Sequence, residues 1–212
     1  MTTQQSDRTY RSSAGIIGGA VLLAIAAWLG IDALVTGHGR TPWFALAGLI
    51  LAVPLIVAFT LRPAVHANDE RLRIRNPFRV IVLPWAEIAT LRSAYSNEVV
   101  AKSGTKYQLW ALPVSLRARK KAARRATRRA AQASGQVRPG IGGIGGFTAT
   151  RQFPEGADRA ESDRAMDDLR ELLEARGEKE SAQGEITVRW AYEVVGPALA
   201  GAVVLAILFA VG

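Results

Sequence analysis

Residues 42–61, PWFALAGLILAVPLIVAFTL, are twenty consecutive positions without one charge. At about 1.5 Å of rise per residue, a helix of that length reaches roughly 30 Å, the thickness of a bilayer's hydrocarbon layer. Two further runs behave alike. Residues 14–35, AGIIGGAVLLAIAAWLGIDALV, carry only Asp32, and residues 190–211, WAYEVVGPALAGAVVLAILFAV, carry only Glu193. A soluble fold would have to bury all three, and the polar stretches between them cannot supply such a core. A cleaved leader is also a poor fit to the first run: its apolar part is too long, and no small-x-small site follows before Arg40. The sequence therefore predicts three transmembrane helices.

The connector TGHGRT makes the first two helices an antiparallel hairpin. Positive charge near the helix ends then sets the orientation. The N-terminal tail holds Arg8 and Arg11, the connector only Arg40, and the region after the second run Arg62, Arg71, Arg73, Arg75 and Arg79. The tail (1–13) and the middle region are thus expected on the cytoplasmic side of the membrane, with the C-terminus outside. Trp28, Trp43, Trp190 and Tyr192 sit toward run ends, as interfacial aromatics do. Asp32 and Glu193 also lie near ends, which argues against a transport pathway. Gly15 and Gly19 form a spacing suited to close helix packing, and Pro54 and Pro197 are expected to kink their helices.

Between the runs the pattern changes to short alternating segments. In RLRIRN, Leu72 and Ile74 alternate with Arg71, Arg73 and Arg75, the period-two signature of a half-buried strand. AVHA (64–67), FRVIVL (78–83), EIATLRS (87–93), EVVA (98–101) and TKYQLWAL (105–112) complete about six strands. Turn signals at Asn68-Asp69, Asn76-Pro77 and Lys102-Ser103-Gly104 make the sheet mainly antiparallel. A helix follows much later, with Asp158 as expected N-cap, Met166, Leu169, Leu172 and Leu173 as its apolar stripe, and Gly177 as its stop.

Strands in sequence closed by one amphipathic helix resemble a pleckstrin-homology (PH) domain. The stretch RLRIRNPFRVIVLPWAEIATL, with its Asn76-Pro77 turn and Pro84-Trp85 before Glu87-Ile88, is similar to membrane-anchored bacterial PH-like proteins. So is KYQLWALP, a strand ending in Trp. That family places two transmembrane helices directly before such a module, and the resemblance covers about residues 14–113. It implies an α+β membrane protein: three transmembrane helices plus a cytoplasmic antiparallel β-barrel or sandwich closed by a C-terminal amphipathic helix. The expected order is a transmembrane hairpin at 14–61, the PH-like domain at 62–178 and the third helix within 187–212. A long insertion at 115–156 and the third helix depart from the family pattern, and no binding residues carry over. Trp85 and Ile88 are expected in the core.

The insertion opens with SLRARKKAARRATRRAAQASG, which holds eight cations and no carboxylate. On a helix, Arg117, Lys120, Lys121, Arg124, Arg125, Arg128 and Arg129 fall on one half of the cylinder, and alanines fill much of the rest. Four readings are open for this run. It can be a solvated loop, continuing into the linker QVRPGIGGIGGF (136–147), or it can pair with residues 155–180, which hold ten acids against five bases. It can bind nucleic acid, although no aromatic is interleaved within 115–135 and no nucleic-acid fold surrounds it. Or it can lie on anionic lipid headgroups, where each cation contributes about 1 kcal/mol. The G-x-G-x-x-G at 140–145 lacks the flanking strand and helix a dinucleotide site needs.

Chemistry finds little footing. There is no cysteine, and the two histidines, His38 and His66, have no nucleophile or metal-ligand set around them in sequence. No cofactor, metal or catalytic residue is expected. The sequence points to a non-enzymatic binding or scaffolding protein, whose partners are the bilayer, anionic headgroups and a membrane or cytoplasmic protein. The alternative is an assembly subunit of a larger membrane complex, acting through its helices.

Overall fold

The computed structural model describes residues 7–114 and 155–211, with side chains omitted at 155–160. Two regions emerge, a bundle of three apolar helices and a sheet-rich module. Helix α1 (Ser13–Val35) opens on Ser12, whose hydroxyl accepts from the Gly15 backbone N–H at 3.1 Å. Helix α2 (Thr41–Ile56) begins with Pro42 in its first turn, where a missing N–H costs nothing. Pro54 removes a donor later in α2, and the chain continues as a π-helical turn over Val57–Leu61. All three helices are long and apolar enough to cross a bilayer: Ser13–Val35, Thr41–Leu61 and Tyr192–Ala210.

Helix α2 lies between the other two. Thr60 and Leu61 approach α1 so closely at Gly19 that a Cβ there would collide with the Thr60 side chain, and Gly15 faces the Thr60 carbonyl. The Gly15/Gly19 spacing is therefore a packing seam. Leu49 fills the space over Gly30 in the same way. On the opposite side of α2, a Cβ on Gly201 would fall 2.5 Å from the Leu51 nitrogen and 2.9 Å from the Ile50 carbonyl carbon. Outside these seams the helices present bare apolar side chains, among them Trp28, Leu29, Val35, Leu199 and Phe209.

The module is built from β1 (Arg8–Tyr10), β2 (Ala64–Ala67), β3 (Arg71–Arg75), β4 (Arg79–Pro84), β5 (Ile88–Ser93), β6 (Asn97–Ala101), β7 (Lys106–Gln108), helix α3 (Glu155–Arg176) and β8 (Thr187–Trp190), with helix α4 (Tyr192–Ala210) after it. The strands form two antiparallel sheets, one in the order β1-β2-β3-β4-β8 and one in the order β5-β6-β7. The alternation in RLRIR is real: Leu72 and Ile74 are buried while Arg71 and Arg73 are exposed. Both sheets and α3 share one core. Trp85, Leu72, Ile74, Leu83 and Val99 meet Met166 and Leu169 of α3 there, and Ile88 joins them.

Four expectations change. The N-terminal tail carries a strand, β1, which pairs with β2 through Arg8–Ala67, Thr9–His66 and Tyr10–Val65. The segment before the third helix carries β8, paired to β4. The expected strand at 105–112 ends at Gln108, because the Leu109 N–H turns back to the Asn97 carbonyl at 2.8 Å and Leu109, Ala111 and Leu112 plug the core. The closing helix already runs from Glu155, so Asp158 lies inside it and is not its N-cap. Its C-terminus is as expected, with the Gly177 N–H bonded to the Leu173 carbonyl at 2.8 Å.

Candidate binding site

The sequence places its candidate contacts at Arg117, Lys120, Lys121, Arg124, Arg125, Arg128 and Arg129. All seven lie outside the described residues, as do the linker at 136–147 and its glycine motif. The charged face of α3 is described from residue 161 onward, and there it makes one contact within the helix and two to the strands and turns of the module. Arg170 pairs with Asp167 at 2.7 Å, Arg176 reaches Asp69 at 2.9 Å, and the Tyr10 hydroxyl donates to Asp168 at 3.3 Å. Burial, then Asp168, pushes the Tyr10 hydroxyl's pKa upward. The contact ties the N-terminal strand to the closing helix and holds the tail on the same side of the helix bundle as the module.

Three chain crossings join module to bundle. Tyr10 ends β1 shortly before Ser13 opens α1, Leu61 ends the second helical segment shortly before Ala64 opens β2, and Trp190 ends β8 shortly before Tyr192 opens α4. The junction is braced by an ion pair, Arg62 to Glu193 at 2.8 Å, in which the arginine side chain is 7% exposed. The Arg62 Nε also donates to the Asn76 carbonyl at 3.4 Å.

Beside this junction lies a cavity of about 470 Å³. Phe59 of the π-turn, Phe78 of the β3–β4 turn and Trp110 form a ring cluster, with Phe59 edge-on to Phe78 at 5.3 Å and 5.6 Å from Trp110. Arg79 stacks over Trp190 at 4.3 Å, a cation–π contact on the far wall. Asn76 holds the turn in place, donating to the Gln108 carbonyl at 2.9 Å and accepting from the Trp110 N–H at 3.4 Å. Trp110 and Trp190 remain about half exposed. Half-wet aromatics and one cation give the cavity an amphipathic lining. Trp190 is legible in the sequence as an interfacial aromatic, whereas the cavity is not, since its walls come from four separate segments.

The outer face of the larger sheet is mixed in polarity and carries Arg73, Arg75 and Arg189. Thr9, His66, Arg73, Val82 and Thr187 lie in one cross-strand row, and Arg75, Val80 and Arg189 lie in the row nearer the helices. His66 shares a hydrogen bond of 3.0 Å with Thr9. Burial lowers its pKa, and Arg75, Arg73 and Arg11 lower it further. Asp7 opposes them. Among the described residues, no group of three or more His, Asp or Glu side chains is placed to hold a metal ion.

With this geometry in view, comparison with known proteins adds one finding. Residues 62–138 match the family model described as a bacterial PH domain. The match starts at the Arg62 junction, takes in β2 to β7, and leaves β1, α3, β8 and all three apolar helices outside it. No curated protein and no solved structure matches the chain.

Proposed function

We propose, on the premise that this chain carries a bacterial PH domain, that it is a non-enzymatic integral membrane protein that mounts the domain as a binding or scaffolding module against the bilayer. The observation that carries this reading is the triple junction. Strands β1, β2 and β8 each pass into an apolar helix within about two residues, and all three belong to one sheet. The bare apolar surface of the helices fits hydrocarbon as their solvent, because water would penalise each exposed side chain. Arginine excess over the tail and the module argues for the cytoplasmic face of the inner membrane, with the C-terminus outside.

Sidedness is open to a direct measurement, since the chain has no cysteine of its own. Ser103 lies in the exposed turn joining β6 to β7, where it bonds to Thr105 at 3.1 Å. Ser103→Cys is expected to resist a membrane-impermeant maleimide in intact cells and to react after lysis. Labelling from outside would reverse the orientation.

The polybasic segment is read as a second contact with the same leaflet, made by the face of Arg117, Lys120, Lys121, Arg124, Arg125, Arg128 and Arg129. Like charges at i,i+4 disfavour an isolated helix, and an anionic surface relieves that repulsion. In nanodiscs of phosphatidylglycerol, backbone amides over 115–135 are expected to exchange hydrogen at least several-fold more slowly than in phosphatidylcholine. The difference should shrink at high salt, as surface charge effects do, and vanish when the seven cations become Gln. Equal exchange in both lipids rejects the contact.

A further inference from the structure

The outer sheet face and the junction beside it bring together four guanidiniums; Arg62 is paired with Glu193, while among the described residues Arg11, Arg73 and Arg75 show no ion pair. Arg62 directly follows the second helical segment, Arg11 stands two residues before α1, and Arg75 lies opposite Ala64 at the base of β3, with Arg73 one pleat further out. Guanidinium stays charged under all working conditions, so deprotonation cannot relieve the repulsion. Arg75 records the crowding: burial weakens its hold on the proton, and Arg62, Arg73 and Arg11 weaken it further, with Glu193 opposing them. Glu193 itself is engaged by Arg62. The Nε of Arg75 is enclosed and, among the described residues, has no hydrogen-bond partner, which leaves a strong donor stripped of water without a replacement.

We infer that Arg11, Arg62, Arg73 and Arg75 form a binding site for a phosphate-bearing anion, supplied by the headgroup of an anionic phospholipid in the leaflet from which the helices emerge. The choice of a lipid source rests on the reading of the three helices as bilayer spans. The site's position supports it, since three of the four arginines lie within about three residues of a helix end or face such a residue across the sheet. Guanidinium forks match phosphate oxygens geometrically. An anion there would meet the orphaned Nε and offset the mutual repulsion in one step.

The test uses the full chain in a non-ionic detergent, titrated with water-soluble dihexanoyl-phosphatidylglycerol, dihexanoyl-phosphatidylcholine or inorganic phosphate. The expected result is saturable binding of the phosphatidylglycerol and much weaker binding of the other two. At roughly fivefold per juxtamembrane cation, Arg73→Gln with Arg75→Gln should weaken it about 30-fold. Lys102→Gln with Lys106→Gln, on the smaller sheet, should leave it unchanged, as should conversion of the seven-cation face to Gln. A second readout separates a ligand site from a merely structural arginine. Without ligand, Arg75→Gln should melt no lower than the parent, because removing one charge relieves the other three. Binding that is indifferent to Arg73 and Arg75, or a clear drop in the ligand-free melting point of Arg75→Gln, overturns the site. Phosphate binding with the same arginine dependence, in the absence of phosphatidylglycerol binding, retains the anion site and overturns the lipid source. None of these arms requires a bilayer. Failure of the spanning reading would show separately, as release of the chain from native membranes by alkaline carbonate.

Discussion

Trp85→Ala is expected to abolish cooperative folding of the module or to lower its stability by about 3–5 kcal/mol, the range for emptying a large aromatic site. The ring is fully buried where both sheets meet α3. Its indole N–H donates to the Asn68 carbonyl at 2.8 Å, and its backbone N–H donates to Glu70 at 3.2 Å. Asn68 in turn caps the β2–β3 turn, its side-chain oxygen accepting from the Glu70 and Arg71 N–H groups. One side chain thus fills the core and anchors a turn. Domains of this size hold only about 5–15 kcal/mol in all. Near-ultraviolet circular dichroism during denaturant unfolding in detergent reads the loss, while the apolar helices keep their far-ultraviolet signal. Trp85→Phe should cost less, since it empties less volume and loses chiefly the one hydrogen bond. An alanine variant within about 1 kcal/mol of the parent would contradict the placement of this ring.

The second large effect is expected at Gly201→Leu. A side chain there meets the backbone of Ile50 and Leu51, and backbone, unlike a side-chain tip, cannot rotate aside. Helices α2 and α4 must separate, at a cost of roughly 1–3 kcal/mol or more by analogy with overpacked cores. The separation would also strain the Arg62–Glu193 pair and the Phe44–Phe209 ring contact at 4.9 Å, which lie toward opposite ends of the same interface. Gly196→Leu is the internal control, because nothing lies within 4 Å of a Cβ at that position. Unfolding by increasing fractions of a denaturing detergent should separate the two variants clearly. Equal behaviour would remove the close approach of α2 and α4.

These outcomes also show which parts of the molecule the sequence discloses. Local periodicity is enough for the apolar helices and for strands such as RLRIR, because each signal is contained in a few neighbouring residues. The closing helix is readable for the same reason, from Met166 and Leu169. Strands β1 and β8 escape such a reading. Three or four residues carry no period, and RTY and TVRW become strands only because β2 and β4 offer them unpaired edges. Burial gives no periodic signal in β8 either, since TVRW is exposed throughout. The candidate sites divide along the same line. Charge runs are visible in the chain, whereas the arginine group on the outer sheet face and the aromatic cavity exist only after strands distant in sequence are laid in register.

In the larger sheet, β1 and β8 are the two margins, and each is spliced almost directly into an apolar helix, as β2 is from the interior. A plate fixed at both margins and once between them has no swivel. In a bilayer its height above the lipid and its heading are set by the helices alone, so whatever docks on it must approach the membrane surface to be met, and any leaning of one helix against another is felt as a warp across the whole plate.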